Sequence, residues 1–244
     1  MPVKKINKLI LDILFPITCI SCKRNGTWLC ENCFFKIKKT AEQVCGICEI
    51  RITPDGRTCQ NCKKKSSLDG LLTCASYKQN SVARAVHFFK YRFIADLHVP
   101  LGNLMVNVMQ KTDIPLPDLI LPIPLHKRRL RWRGFNQSSL LAKRISQELL
   151  PGAIISTEEN ILIRNRYTTP QMGIKDYKHR QQNLNGAFLI PNEELVKNKI
   201  ILLVDDIATT GSTILECAKV LKNAGAKEIF AIVIARQETK QDKS

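Results

Sequence analysis

An α/β fold, a parallel sheet flanked by helices and preceded by a small cysteine-rich module, is what this chain predicts. Three observations carry that reading. Eight of the ten cysteines fall into four Cys-x-x-Cys pairs before residue 65. Apolar strand patterns alternate with helical ones from Leu71 onward. The run Ile201 to Thr213, ILLVDDIATTGST, reads as a buried strand that delivers two adjacent carboxylates into a phosphate-cradling turn.

At 244 residues and 44% hydrophobic, the chain can hold one full α/β domain plus a small module. No stretch approaches the roughly 20 apolar residues of a membrane span. Residues 1–17 place Val3, Ile6, Leu9, Ile10, Ile13 and Leu14 on one stripe with lysines around it, which fits an amphipathic helix docking on the protein or a partner. A membrane-surface role is the alternative for that helix. The segment lacks the long apolar core and small-residue cleavage site of a secretory signal, so a reducing cytoplasm is expected.

Residues 18–65 contain Cys19 with Cys22, Cys30 with Cys33, Cys45 with Cys48, and Cys59 with Cys62. Two such knuckles make a tetrahedral thiolate site, and grouping neighbours yields a double zinc ribbon with two structural four-cysteine sites. Disulfides are the rival, disfavoured in a reducing compartment. The segment is too short and polar for a sizeable core, so metal is expected to stabilise it. Cys74 and Cys217 fall on apolar patterns and read as small buried hydrophobes.

Residues 66–238 carry the larger domain. A strand is expected near Leu71 to Tyr77, helices over Ser81 to Phe89 and Ala95 to Gln110, and a strand near Leu119 to Ile123. A helix over Gln137 to Leu150 stops at Pro151-Gly152, a strand candidate lies near Ile161 to Arg164, and Ile229 to Ala235 makes a last strand. Beyond the paired knuckles there is no internal repeat, and residues 239–244 form a polar, frayed tail.

Ile201 to Val204 is a continuous apolar run suited to a strand covered on both faces, and a core strand is expected to end at Val204. Asp205 and Asp206 then stand where open α/β sheets place ligands, able to accept hydrogen bonds from vicinal hydroxyls. Thr209, Thr210, Gly211, Ser212 and Thr213 follow, so backbone N–H groups can point at a phosphate ahead of a helix that Gly225 caps. Neither a Walker A loop nor a GxGxxG fingerprint occurs. The bland alternative is an ordinary turn with a solvated acidic pair.

Leu121 to Gln137, LPIPLHKRRLRWRGFNQ, places His126, Lys127, Arg128, Arg129, Arg131 and Arg133 in a loop after a strand, which wants an anion or else is a solvated basic surface. Arg164, Thr169, Gln171, Arg180 and Asn183 lie in a polar, irregular segment that serves either binding or solvation.

The acidic pair resembles the PRPP (phosphoribosyl pyrophosphate) loop of type I phosphoribosyltransferases: four hydrophobics, two acids, two hydrophobics, then Thr210, Gly211 and Thr213 in order. Together with the zinc knuckles, the PIPLHKRRLRWRGFNQ block and the arginine and TPQ segment ending HRQQNLNGAF, it makes the whole chain resemble the ComF/GntX family. That resemblance implies a type I phosphoribosyltransferase-like sheet. It implies that Asp205 and Asp206 hold the ribose hydroxyls, that Thr209 through Thr213 hold the 5′-phosphate, and that the loop with Lys127 and Arg128 binds pyrophosphate. It further implies a bacterial cytoplasmic protein linked to DNA uptake and natural competence, with a DNA-uptake helicase or another competence protein as partner.

The formal net charge of +17 stays strongly positive after eight thiolates bind two Zn²⁺, enough to attract a polyanion such as single-stranded DNA without base-specific readout. The chain is compatible with two functions. One is an enzyme that displaces pyrophosphate from PRPP, with Mg²⁺ carried by the substrate. The other is a non-catalytic PRPP or nucleotide sensor whose basic face and zinc module hold single-stranded DNA or a partner. The acceptor of any transfer is not legible.

Overall fold

In the computed structural model, residues 16–167 and 184–237 are described. The amphipathic segment Val3 to Leu14, the residues Thr169, Gln171, Arg180 and Asn183, and the tail from 238 lie outside them. In the cysteine-rich module, short helices α1 (Glu31–Phe35) and α2 (Gln60–Lys63) precede the larger domain. There the order is β1 (Gly70–Ser76), α3 (Asn80–Tyr91), α4 (His98–Met109), β2 (Leu119–Pro122), α5 (Lys127–Arg133), α6 (Gln137–Glu148), β3 (Ile163–Arg164), β4 (Phe188–Leu189), β5 (Ile200–Ala208), α7 (Ser212–Asn223) and β6 (Glu228–Arg236).

Strands β1, β6, β5 and β2 form, in that order, one parallel sheet. Because side chains alternate along a strand, its apolar runs divide between two cores. Leu202 and Val204 of β5 join a cluster with Val86 and Phe89 of α3, Leu104 of α4 and Ile145 of α6. Ile201 and Leu203 face the other way, against Ile214, Cys217 and Leu221 of α7. Both Cys74 and Cys217 are fully buried, as expected.

Strand β5 does not stop at Val204. It runs to Ala208 because β6 keeps pairing with it, Asp205 opposite Val233 and Ala208 opposite Arg236. On its other side β2 ends at Pro122 opposite Val204, and Pro124 follows, so the last residues of β5 lie past the end of their neighbour. That offset opens a notch at the carboxyl end of the sheet.

The basic segment expected as a loop contains helix α5. His126 caps it, its Nδ1 accepting the Arg128 amide at 3.2 Å, and Gly134 ends it in the left-handed conformation at φ 78°. The expected strand near Ile161 shortens to two residues paired antiparallel with β4. Arg164 sits there buried over the Phe188 ring, 5.3 Å from its centroid, and not in an irregular loop.

The cysteine module is laid along the free edge of β1. The Gln43 side chain bonds both the amide and the carbonyl of Thr73, Thr40 N donates to Cys74 O, and Arg57 bridges Gly70. A sheet edge that would otherwise invite pairing with another chain is thereby covered. Cys19, Ile20, Leu29 and Ile37 also join the core cluster of the larger domain.

Candidate functional site

The module contains two convergent tetrads, Cys19, Cys22, Cys30 and Cys33, and Cys45, Cys48, Cys59 and Cys62, with the sulfurs of each within 4.8 Å of one another. The same knuckle is built twice. Lys23 and Glu49, each following the second cysteine of a pair, take left-handed backbone and donate their amides to Cys19 O and Cys45 O. Cys30 and Cys59 are the N-caps of α1 and α2, whose positive ends favour thiolates. Burial and the sulfurs of Cys59, Cys45 and Cys48 push the Cys62 thiol up to about 12. Four sulfurs this close cannot all ionise unaided, and each tetrad can bind a metal ion.

At the carboxyl end of β5, Asp205, Ile207 and Ala208 pass into Thr209, Thr210, Gly211, Ser212 and Thr213, and with Ile214 these line a small polar cup. Gly211 makes the turn with φ 72°, and the first amides of α7 have no intrahelical acceptor. Thr210 Oγ1 and Ser212 Oγ lie 2.8 Å apart across the mouth of that turn. The result is a concavity of N–H and O–H groups with one carboxylate on its wall, suited to a phosphorylated sugar.

The two acids are not equivalent. Asp205 accepts Ser138 Oγ at 2.9 Å and the Asp206 amide at 2.9 Å, and it faces the cup. Burial and the Asp206 charge push its carboxyl up to about 7. Asp206 is 4% exposed, and its Oδ1 meets Lys90 Nζ at 2.8 Å. Burial alone would lower the Lys90 ammonium; Asp206 and Asp205 hold it above its ordinary value. Lys127 and Arg128, in the exposed first turn of α5, stand outside the cup, on the segment that follows the neighbouring strand β2. Arg128 lies over Tyr167, 5.3 Å from the ring centroid. Burial lowers Arg129, Arg164 and His126, and in each case neighbouring cations add to the effect. Positive charge crowded beside the notch favours an anion there.

Three contributors escaped the sequence reading. Lys90 falls on the helical stripe of Val82 and Val86, and a lysine on an apolar stripe is the signal that could have flagged it. Ser138 belongs to the FNQS run, where Asn136 caps α6 and donates to Ile123 O at 3.1 Å, tying that helix to the end of β2. Arg236 closes β6, and no local pattern marks it.

Residues 136–244 match the family model described as the phosphoribosyl transferase domain. Competence protein F of Haemophilus influenzae is 32% identical to this chain over 91% of it and 98% of the relative. The chain belongs to the ComF/GntX family. Other ComF relatives include the DNA utilization protein YhgH of Escherichia coli K12, 30% identical over 86% of this chain and 92% of its own. Competence protein ComFC of Bacillus subtilis is 25% identical over 81% and 79% respectively. Among solved structures, the glutamine PRPP amidotransferase of B. subtilis overlays 56% of this ComF chain at TM-score 0.37 with 20% identity, and the match spans 26% of that enzyme. Among the described residues, no helix is long and apolar enough to cross a membrane.

Proposed function

We propose that this ComF-family protein binds PRPP·Mg²⁺ in the cup after β5 and transfers its phosphoribosyl group to an acceptor, releasing pyrophosphate. Its setting in this reading is the handling of incoming DNA in the cytoplasm; the names of two relatives, a competence protein and a DNA utilization protein, support the link to DNA. The observation that carries this reading is the joint placement of Asp205 and the Thr209–Thr213 turn around one polar cup. The turn would take the 5′-phosphate, Asp205 the ribose hydroxyls, and Lys127 with Arg128 the pyrophosphate. Asp206, ion-paired to Lys90 at 2.8 Å and not among the residues that line the cup, holds the end of β5 that presents Asp205. The C1–oxygen bond to pyrophosphate breaks with its electrons leaving on pyrophosphate, a bond from the acceptor forms at C1, and Mg²⁺ travels with the substrate.

Each tetrad holds one structural zinc in this reading. Cys22 and Cys30 sulfurs are 3.6 Å apart and those of Cys48 and Cys59 4.0 Å apart, close to the roughly 3.8 Å edge of a tetrahedron with Zn–S near 2.3 Å.

The deciding experiment is pyrophosphate release from PRPP·Mg²⁺ with bases, amines and nucleic acids offered as acceptors, alongside calorimetric binding. Binding and release abolished together by Asp205→Ala with Asp206→Ala supports transfer. Binding without release from any acceptor replaces the enzyme with a sensor.

A specific surface favours nucleic-acid binding as a second function. Trp132 is 60% exposed and packs against Phe93 and Tyr91 at centroid distances of 5.2 and 6.5 Å, with Arg133 over Tyr91 and Trp132 at 5.8 and 6.0 Å. Exposed rings interleaved with arginines stack single-stranded bases without reading sequence. No retention of single-stranded DNA in a gel shift, even at low salt, would exclude it.

A further inference from the structure

Arg236, the last residue of β6, lies between the second cysteine tetrad and the phosphate turn. Its backbone pairs with Ala208, the residue that begins the turn, and Gln237 N donates to Ala208 O at 2.9 Å. Its side chain turns to the module: Nη1 donates to Gly46 O at 2.8 Å and Nη2 to Glu49 Oε1 at 2.7 Å. A side chain at position 211 would meet Arg236 Nη2 at 3.6 Å, so the guanidinium backs directly onto Gly211. The side chain is 10% exposed, and its Nε is buried without a partner.

Both anchors of that guanidinium belong to one metal knuckle. Gly46 lies between Cys45 and Cys48, and Glu49 follows in left-handed backbone with its amide on Cys45 O at 2.9 Å. Gly46 is in turn wedged against Leu71 of β1, where an added Cβ would lie 2.6 Å from Leu71 Cβ. The Glu49 carboxylate answers the Arg236 charge, so any effect on an anion in the cup works through geometry.

We propose that Arg236 is a positioning residue that makes the shape of the phosphate turn, and hence its hold on a phosphorylated sugar, depend on a metal-closed Cys45–Cys62 tetrad. This rests on the cup being the PRPP site. Loss of the metal removes the crosslink that holds the four sulfurs together and lets the knuckle open, which removes Gly46 O and Glu49 from the guanidinium. Gly211, the one left-handed residue of the turn, then loses the group behind it.

The test uses the full chain with both metals bound. Arg236→Met and Glu49→Gln are compared with the parent by metal content, by amide exchange across Thr209–Thr213 without ligand, and by calorimetric PRPP·Mg²⁺ binding. Metal content is expected to stay at two per chain. Exchange in the turn is expected to quicken about tenfold in Arg236→Met, while amides of Ile229 to Val233 are unchanged. PRPP affinity should fall roughly tenfold in Arg236→Met and less in Glu49→Gln, and the double variant should do no worse than Arg236→Met alone. Arg236→Lys should restore part of the loss.

Unchanged exchange and affinity in Arg236→Met, or fully additive losses in the double variant, overturn the inference. A parent protein that does not bind PRPP overturns the donor reading and, with it, the ligand half of this inference. The exchange measurement judges the positioning half in either case.

Discussion

Lys90 Nζ sits 2.8 Å from Asp206 Oδ1, so the second acid of the pair is answered from inside the protein by the end of helix α3. Asp205, one residue earlier, is held by a serine hydroxyl and an amide and faces the cup. Adjacent carboxylates on one strand thus have different surroundings, one facing the cup and the other paired to the helix that packs beneath it.

Replacing Lys90 with Met leaves Asp206 buried and unpaired. Breaking such a pair from one side costs about 3 kcal/mol. Denaturant melts should show this loss, and Lys90→Met with Asp206→Asn should recover much of it. Equal stability of the single and double variants would mean that the ion pair does not hold α3 to β5.

Asp205 makes stability depend on pH. Its folded carboxyl is raised to about 7 by burial and Asp206, so its contribution is present below the unfolded carboxylate range and is lost as pH rises through about 7. Asp205→Asn should therefore melt higher than the parent at pH 8, by several degrees, with the gap closing toward pH 5. PRPP affinity of the parent should move the opposite way, rising from pH 6 to 8 as the carboxylate forms. A melting difference that stays flat across this range would contradict the raised carboxyl.

Ser138 touches Asp205 only through its hydroxyl, at 2.9 Å. Ser138→Ala should cost about 1 kcal/mol in binding, roughly fivefold in PRPP affinity, with little change in fold stability. Calorimetry on both proteins at pH 8 checks it.

Metal removal should act beyond residues 18–65. Because Gln43, Thr40 and Arg57 cap the edge of β1, a strong chelator should unfold the knuckles and expose that edge. The expected readouts are loss of two equivalents of metal, rapid exchange at Thr73 and Ala75, and concentration-dependent aggregation. Protection at Thr73 that survives complete metal loss would show that the module docks without it.

Much of this was legible in the chain. The four Cys-x-x-Cys pairs, the buried strand before Asp205 and the turn Thr209 to Thr213 each carry their signal within a few residues, because knuckles, apolar strands and glycine turns are local devices. Two boundaries were misjudged, for different reasons. The extension of β5 to Ala208 depends on how far β6 runs beside it, and the helix at Lys127 is stabilised by a His126 cap and a Gly134 stop within a segment whose charge alone suggested a loop.

The sequence by itself determined the inventory: two thiolate tetrads, an acidic pair, a phosphate turn and a parallel sheet to carry them. Only the tertiary structure decided which acid faces the cup, and that Lys90, Ser138 and Arg236 contact its surroundings from three different elements. Spacing along a chain records what neighbouring residues can do together. Partners brought in from 67, 116 or 187 positions away are chosen by packing, and no local pattern encodes a contact made across the sheet.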